Sequence, residues 1–417
     1  MDKKEVNSVY SKVDDDDILL NWDIPVVYKL PKTNDILKIG LGIEVSRNIA
    51  YPKFSFGFQH FLHQSMGADK MDAIKQFDNK KKVYLVMNSY ETEVDNYDKD
   101  ISSSVKKYFG KNNVVSNRYY ELWELLFMFN LVELNRDFVS THLGTEDGGF
   151  IQALINFRNE YGNKTKVKND KYFSIDNKVN IKNKNVVNSK SFLKSKSNLV
   201  TIQIDKKWRY VNTQEQEIMK ELLESIIKLL KAQIKGGNSV IQVYETYTTP
   251  MFQIVSLLRN IYNEVYMVKP LTCKTYTSNK YIICMGFTGL NKEKIISNLE
   301  NVLSKLSNKN NIINIYSGYE GTSDFLGQFI KSNTDVSNRQ FALFNQMIKF
   351  IEKQNYHGDQ YKQKNKEQQI ANDKWTKIFL PNKGSIDKSL KGVRSWVSKI
   401  IDTNDKRAKE LVSTMNV

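Results

Sequence analysis

Cysteine is almost absent: Cys273 and Cys284 are the only two in 417 residues. Two thiols cannot build a disulfide framework, and their scarcity points to a reducing compartment. Histidine is also sparse. His60, His63, His142 and His357 are scattered without Cys or acidic partners at ligand spacing, so no metal centre is expected. His60 and His63 stand three apart in a Phe-rich stretch and read as structural residues. The N-terminus is charged and lacks an apolar run. Neither a signal peptide nor a membrane span is therefore expected, and the chain reads as soluble and cytoplasmic. No internal repeat suggests a solenoid or propeller.

Lysine, by contrast, is abundant. Lys and Arg total 62 against 46 Asp and Glu, a formal charge of +16. That balance favours nucleic acid or an acidic partner over a neutral small molecule. Ten lysines fall in 162–197, among them Lys164, Lys166, Lys168, Lys171, Lys182 and Lys184, against Asp170 and Asp176. Val, Ile and Asn are interspersed, so short edge strands and a basic loop both fit. If six of these lysines touch phosphates, affinity for RNA falls about 10³-fold between 50 and 200 mM salt.

A chain of this length can bury a full core, as one large domain with elaborations or as two. Its apolar pattern is clearest over 236–287. A Gly-Gly turn opens a strand at 239–244, and a helix with Phe252, Val255, Leu258 and Ile261 on one side follows. Strands at 264–268 and 281–285 come next. The period switches from strand to helix and back, with Gly or Pro at each junction. This is the pattern of the late half of an α/β sheet. Upstream, Tyr120, Trp123, Leu126 and Phe127 mark a strong helix over 116–135. A first central strand is expected at 138–143, its crossover helix at 149–161, and a long amphipathic helix at 214–234.

Beyond residue 290 the pattern is helical. Ile295, Leu299, Val302 and Leu306 mark one helix, and Phe341, Phe344, Met347 and Ile351 another. A Lys/Gln-rich stretch at 359–373 separates these from a terminal piece with Trp375 and Trp396. At the other end, residues 1–30 open polar with an acidic run at 14–17. Residues 36–115 alternate short apolar runs, at 36–43 and 83–86, with charged loops.

Several blocks carry a family likeness. Residues 117–126 (NRYYELWELL) are similar to a helix reading xRAxxKLWEL, and 144–151 (GTEDGGFI) to a cofactor turn reading CExPGGFI. Gln214-Glu215-Gln216-Glu217 resembles a "QE" helix start. Val265-Tyr266-Met267-Val268-Lys269-Pro270, followed by Thr277-Ser278-Asn279-Lys280-Tyr281-Ile282-Ile283, resembles (V/I)YxxKPxxSRxxNSExY(I/V)V. Over roughly 115–290 the chain thus resembles the FtsJ-like RNA ribose 2′-O-methyltransferases, especially the cap-modifying branch encoded by large cytoplasmic DNA viruses.

The resemblance implies a Rossmann-like α/β fold, a central mostly parallel sheet flanked by helices. It divides the chain into an N-terminal extension (1–115), a methyltransferase domain (116–290, with the basic insertion 162–197) and a helical C-terminal region (291–417). It implies an S-adenosylmethionine turn at Gly144, Thr145, Glu146, Gly148, Gly149 and Phe150. Asp170 or Asp176 would serve the cofactor's ribose. Glu146-Asp147 stand where the family has a residue followed by Pro, which brings an extra acid near the methionine carboxylate. The basic insertion would lie beside the carboxyl edge of the sheet, with Lys164, Lys166, Lys168, Lys171, Lys182 and Lys184 on RNA.

The family's catalytic tetrad is Lys, Asp, Lys, Glu. Its positions fall on Glu121, Gln203, Gln242 and Asn279, all substituted. Ribose methylation needs the 2′-hydroxyl proton removed or its developing charge stabilised, and a free Lys at about 10.4 must be shifted down to do this. Gln242 cannot accept the proton at any usable pH. Asp205 and Lys280 stand near two of the positions, but an odd shift along a strand turns a side chain to the other face. The substitutions point to a degenerate relative that binds RNA or a capping partner without transferring methyl groups, its cofactor retained or lost. An active enzyme with displaced residues, and a virion or scaffold protein on an enzyme fold, are the alternatives.

Overall fold

The computed structural model describes residues 23–54, 56–67, 88–90, 92, 100–110, 114–144, 147–176, 178–192, 194–206, 208, 210–307, 310–353 and 358–415. The runs at 14–17 and 83–86, with Thr145, Glu146 and His357, lie outside the described residues. The strands are β1 (Val26–Leu30), β2 (Glu44–Ser46), β3 (Val139–Gly144), β4 (Lys171–Ile175), β5 (Val186–Ser189), β6 (Ser197–Gln203), β7 (Gln233–Val243), β8 (Tyr262–Lys269), β9 (Lys280–Phe287) and β10 (Asn311–Asn314). The helices are α1 (Phe56–Ser65), α2 (Ile101–Phe109), α3 (Arg118–Met128), α4 (Gly149–Tyr161), α5 (Lys164–Val167) and α6 (Gln214–Ala232). They continue with α7 (Thr249–Ile261), α8 (Lys292–Lys305), α9 (Ser323–Glu352), α10 (Asp359–Phe379) and α11 (Ile386–Met415).

Eight strands form one sheet in the order β1-β8-β9-β7-β6-β3-β4-β5. From β5 to β7 all neighbours are parallel. β9 is inserted antiparallel between β7 and β8, and β1 closes the far edge antiparallel to β8. The chain winds outward from β3 to β5, then returns to lay β6 on the other side of β3. That reversal is a topological switch point, and in open α/β sheets ligands bind at the carboxyl ends of the strands there.

Alternation along the strands builds two apolar layers. Val200, Ile202, Ile241, Val243 and Ile282 face α6, α7 and α8. Leu199, Val240, Tyr281 and Ile283 face α3, α4, α10 and α11. α7 is buried on all sides, with Pro250 in its first turn, where the missing N–H has no helical partner to lose. Its expected apolar face is present, as is the crossover helix at Gly149–Tyr161.

Four segments depart from the sequence reading. Residues 162–197 contribute two sheet strands, β4 and β5. Edge β5 is only half covered, so its apolar period is weak. Gly236-Gly237 lie inside β7, not ahead of it, where the register against β6 shifts. Gly236 takes φ +81° there, the glycine-favouring region a bulge requires. The stretch at 359–373 is part of α10 rather than a separator. Ala371, Trp375, Ile378 and Phe379 form its buried stripe, at helical spacing that the surrounding Lys and Gln obscure.

The fourth departure is β1, which follows the polar start of the chain yet joins the central sheet. Tyr28 donates from its hydroxyl to Asp335 on α9. Arg407 on α11 grips the same carboxylate with two N–H donors at 2.9 and 3.1 Å, a geometry stronger than a single contact. The N-terminal strand and the C-terminal helices are thereby tied together.

Candidate active site at the switch point

The crevice begins with backbone. Gly144 ends β3 opposite Gln203 of β6. It has φ +83°, and a Cβ there would stand 1.9 Å from the Gln203 carbonyl oxygen. Only glycine allows the two strands this approach. Gly148 precedes α4 in a left-handed conformation, φ +96°. Gly149 donates its N–H to Asp147 Oδ1 at 2.8 Å, and a Cβ on it would meet Ser116 Oγ at 2.3 Å. Phe150, fully buried, stands beside the Tyr281 ring. The positive end of α4 points into the crevice.

The four tetrad-matched positions gather at the carboxyl end of one sheet face. Gln203 and Gln242 lie on adjacent strands with the parity of Leu199 and Val240. Gln242 pairs in register with Tyr281. Its Nε2 donates to Asn279 Oδ1 at 3.0 Å and to the Tyr244 hydroxyl at 3.2 Å. Its Oε1 accepts from Arg118 and from the Ile204 N–H. Glu121 reaches down from α3 and accepts a hydrogen bond from the Tyr281 hydroxyl. Gln203 is different. It is fully buried, yet neither its Oε1 nor its Nε2 has a partner among the described residues.

Arg118 is the residue that the sequence reading missed. Besides Gln242, its guanidinium approaches Asp147 Oδ2 at 3.4 Å and Asp205 Oδ1 at 3.6 Å. Burial works against its charge, but Tyr281, Glu121, Tyr244 and Asp147 outweigh this and hold its pKa above the usual range. Burial raises the Glu121 pKa, and Arg118, Tyr281, Lys269 and Lys274 pull it back. The available signal was spacing. Arg118 and Glu121 are three apart on one helix, so they share a face.

The two neighbouring lysines are held by backbone carbonyls. Lys280, next to Asn279, points to the opposite face, where its Nζ donates to the Tyr244 carbonyl. Burial brings its pKa down to about 7, against Glu215 and Glu245. Lys269 is held by the carbonyls of Thr277 (2.8 Å) and Asn279 (2.6 Å), and burial lowers its pKa. It fixes the loop that carries Asn279. Asp205 is 67 % exposed, with its Oδ1 3.6 Å from the Arg118 guanidinium. Of the two acids considered for a cofactor ribose, Asp170 lies just before β4 in a buried pair with Arg158. Asp176 follows β4 at the carboxyl edge but bonds to Lys228 at 2.6 Å.

Two buried glutamates fix the loops around the crevice. Glu124 on α3 accepts from the N–H groups of Leu271 (2.8 Å) and Thr272 (2.9 Å), the Thr272 hydroxyl and the Trp375 indole. On the other face, Glu215 accepts from the N–H groups of Tyr247 (2.6 Å) and Thr248 (3.0 Å) and from the Thr248 hydroxyl. Burial pushes each carboxyl up to about 7 against these donors. His63 pairs with Glu245 at 2.6 Å beside Glu215. Among the described residues no group of three or more His, Cys, Asp and Glu could hold a metal ion. None of their helices is long and apolar enough to cross a membrane.

The basic insertion lies elsewhere than expected. β4 runs parallel to β3 and begins at Lys171, opposite Val139. Lys164, Lys166, Lys168 and Lys171 therefore sit at the amino edge of the sheet, across from the crevice. Lys184 lies two residues before β5 and shares that edge. Lys182 is on the loop returning from the carboxyl edge. The expectation placed the insertion as one block, whereas its strands carry it from one edge to the other.

The strand order, the inserted antiparallel β9 and the glycine turn at the switch point define a methyltransferase-type α/β fold. Residues 114–287 match the FtsJ-like methyltransferase family, and this segment is an FtsJ-like methyltransferase domain. An uncharacterized protein of Acanthamoeba polyphaga mimivirus is 22 % identical over 282 residues, 66 % of this chain and 69 % of that one. A cap-specific mRNA (nucleoside-2′-O-)-methyltransferase 1 of Dictyostelium discoideum is 27 % identical over 34 % of this chain and 20 % of its own length. A cap-specific mRNA (nucleoside-2′-O-)-methyltransferase 2 of Drosophila melanogaster is 25 % identical over 30 % of this chain and 19 % of its own. The match thus spans about a fifth of either cap methyltransferase. A Plasmodium falciparum structure described as a ribosomal RNA methyltransferase aligns over 42 % of this chain and 99 % of its own, at 17 % identity and a TM-score of 0.31.

Proposed function

We propose that this chain is a catalytically degenerate FtsJ-like methyltransferase that serves as an RNA-binding or accessory subunit in mRNA capping. The observation that carries the reading is the group around Gln242. A ribose 2′-hydroxyl loses its proton as the methyl group arrives, and Gln242 and Asn279 are neutral amides with no basic site for it. Arg118, hydrogen-bonded to Gln242, is a donor that does not deprotonate in proteins. Glu121 is occupied by Tyr281. General base catalysis contributes about 10²–10⁴-fold, and nothing in this group supplies it. Similarity to cap-specific methyltransferases supports the RNA setting.

Methyltransferases of this family use S-adenosylmethionine, which supplies the methyl group when bound. The side-chain-free turn at Gly144, Gly148 and Gly149, and the unpaired amide of Gln203, suit the methionine end of such a ligand. Arg118 would stand near its carboxylate. In this reading the cradle persists without chemistry.

Incubating purified protein with radiolabelled S-adenosylmethionine and capped RNA tests the reading. Saturable cofactor binding by calorimetry and RNA binding, with no methyl transfer, are expected. Turnover that disappears in Gln242→Ala would overturn it. A tight protein partner with no RNA affinity would favour the scaffold alternative instead.

A further inference from the structure

We propose that the amino edge of the sheet carries a phosphate-binding ledge for single-stranded RNA, remote from the methyltransferase crevice. This builds on the reading of the chain as an RNA-binding accessory and assigns the contact to a place. Asn159, Lys164, Val167, Lys168, Asn183, Lys184 and Asn185 line one open cavity of about 430 Å³. They come from three elements: the end of α4, the short α5, and the loop entering β5. Lys164, Lys168 and Lys184 are exposed and form no ion pair with the described residues. The acids of the same segment are engaged elsewhere, Asp170 with Arg158 and Asp176 with Lys228.

The lining matches a nucleotide better than an acidic peptide. Three ammonium groups suit successive phosphates, and ammonium–phosphate contacts release counterions and dominate affinity. The cavity asparagines add polar groups that a base edge can pair with. Asn183 Oδ1 accepts from the Asn185 N–H, and Asn185 Nδ2 donates to the Val167 carbonyl. That leaves the Asn183 amide N–H groups and the Asn185 Oδ1 facing a ligand. Val167 gives an apolar patch between them. The cavity falls in the size range of small-ligand sites, about 300–1,000 Å³.

Position gives the ledge its meaning. α4 runs from the crevice to the ledge over 13 residues, about 20 Å at 1.5 Å per residue. A nucleotide seated on the ledge therefore cannot offer its own ribose to the switch point. The ledge retains a strand without presenting that nucleotide for reaction.

Two matched variants of the full chain test this with a fluorescent, uncapped 20-nucleotide oligouridine as probe. Lys164→Glu/Lys184→Glu reverses two charges on the ledge. Lys178→Glu/Lys190→Glu reverses two in the same segment near the carboxyl edge. Anisotropy titrations from 50 to 200 mM salt should show the first pair weakening binding at least tenfold. Its log–log salt slope should drop by about 1.4, two contacts at 0.7 each for single strands. The second pair should stay within about twofold, and thermal melts should show both pairs folded. Equal loss in both pairs means bulk charge alone attracts RNA, and no loss in either means no ledge; both overturn the proposal. Displacement of RNA by polyglutamate as readily as by unlabelled RNA overturns it too, in favour of an acidic protein. The methyl-transfer assay is a separate readout, so turnover would refute the proposed function and leave the ledge standing.

Discussion

At the carboxyl edge of the sheet, Arg118 sits between Asp147 and Asp205 and leans on Gln242, while Glu121 is bound by Tyr281. At the amino edge, Lys164, Lys168 and Lys184 surround an open cavity and form no ion pair with the described residues. One edge has turned its charges on one another in partial burial, where an unpaired charge is costly. The other leaves its charges in water, where they cost little and remain available. Enclosed charge makes structure, and solvated charge makes contacts. On the proposed reading, the edge that houses chemistry in this fold serves structure here.

The sharpest way to break the contrast is to remove the enclosed cation. Arg118→Ala leaves buried Glu121 without the cation that most favours its charge and should cost about 3 kcal/mol by urea unfolding, the range for orphaning a buried ion. Adding Glu121→Gln should recover part of that loss, and a cost below 1 kcal/mol would mean the cluster is not structural. Glu124→Ala strips partners from two N–H groups, a hydroxyl and an indole. At roughly 1 kcal/mol for each of the four buried donors left unmet, it should destabilise by about 4 kcal/mol.

Gly144→Ala should cost about 2 kcal/mol or more, since its Cβ collides with the Gln203 carbonyl and φ is positive. Cofactor binding should vanish with it. An alanine variant of wild-type stability would show that β3 and β6 are not so close.

The two clamping glutamates should also shape the pH dependence of stability. Their folded pKa of about 7 exceeds the unfolded value of about 4.3. Between these values the folded chain binds more protons than the unfolded one. This contribution is therefore complete below the unfolded pKa and is lost as pH rises through about 7. Denaturant unfolding of wild type, Glu124→Gln and Glu215→Gln between pH 5 and 8 should show a flatter decline in the variants. Parallel curves for all three would refute the shift. The smallest effect belongs to the other edge. Lys164→Ala and Lys168→Ala should change stability by less than about 0.5 kcal/mol, as expected for solvated side chains.

Much of the sheet was legible where one period dominates. α4 and α7 stand at the expected places, and β8 and β9 extend the expected strands by a few residues. β4 and β5 were not legible as definite strands, because Lys and Asn break the alternation on a half-covered edge. α10 was obscured in the same way: a stripe of four buried side chains is diluted by many solvated ones. β1 (Val-Val-Tyr-Lys-Leu) carries strand-forming residues, but its place in the central sheet comes from its partner β8 and from Asp335, more than 300 residues away. At the crevice, the letters at Glu121, Gln203, Gln242 and Asn279 could be read through a resemblance. Arg118 could not, since its role arises from β3, β6 and β7 converging on it.

The amino-acid order by itself determined which side chains exist to do chemistry. It put Glu at 121 and Gln at 242, and it supplied glycines where two strands and a helix end must meet closely. Tertiary structure alone decided how the remaining charges are used. Folding a parallel strand sends its two ends to opposite edges, so lysines adjacent in sequence separate from the crevice by the length of a helix. It also places the Arg118 guanidinium between Asp147 and Asp205, carboxylates from other parts of the chain, a convergence that the helical spacing of Arg118 and Glu121 does not encode.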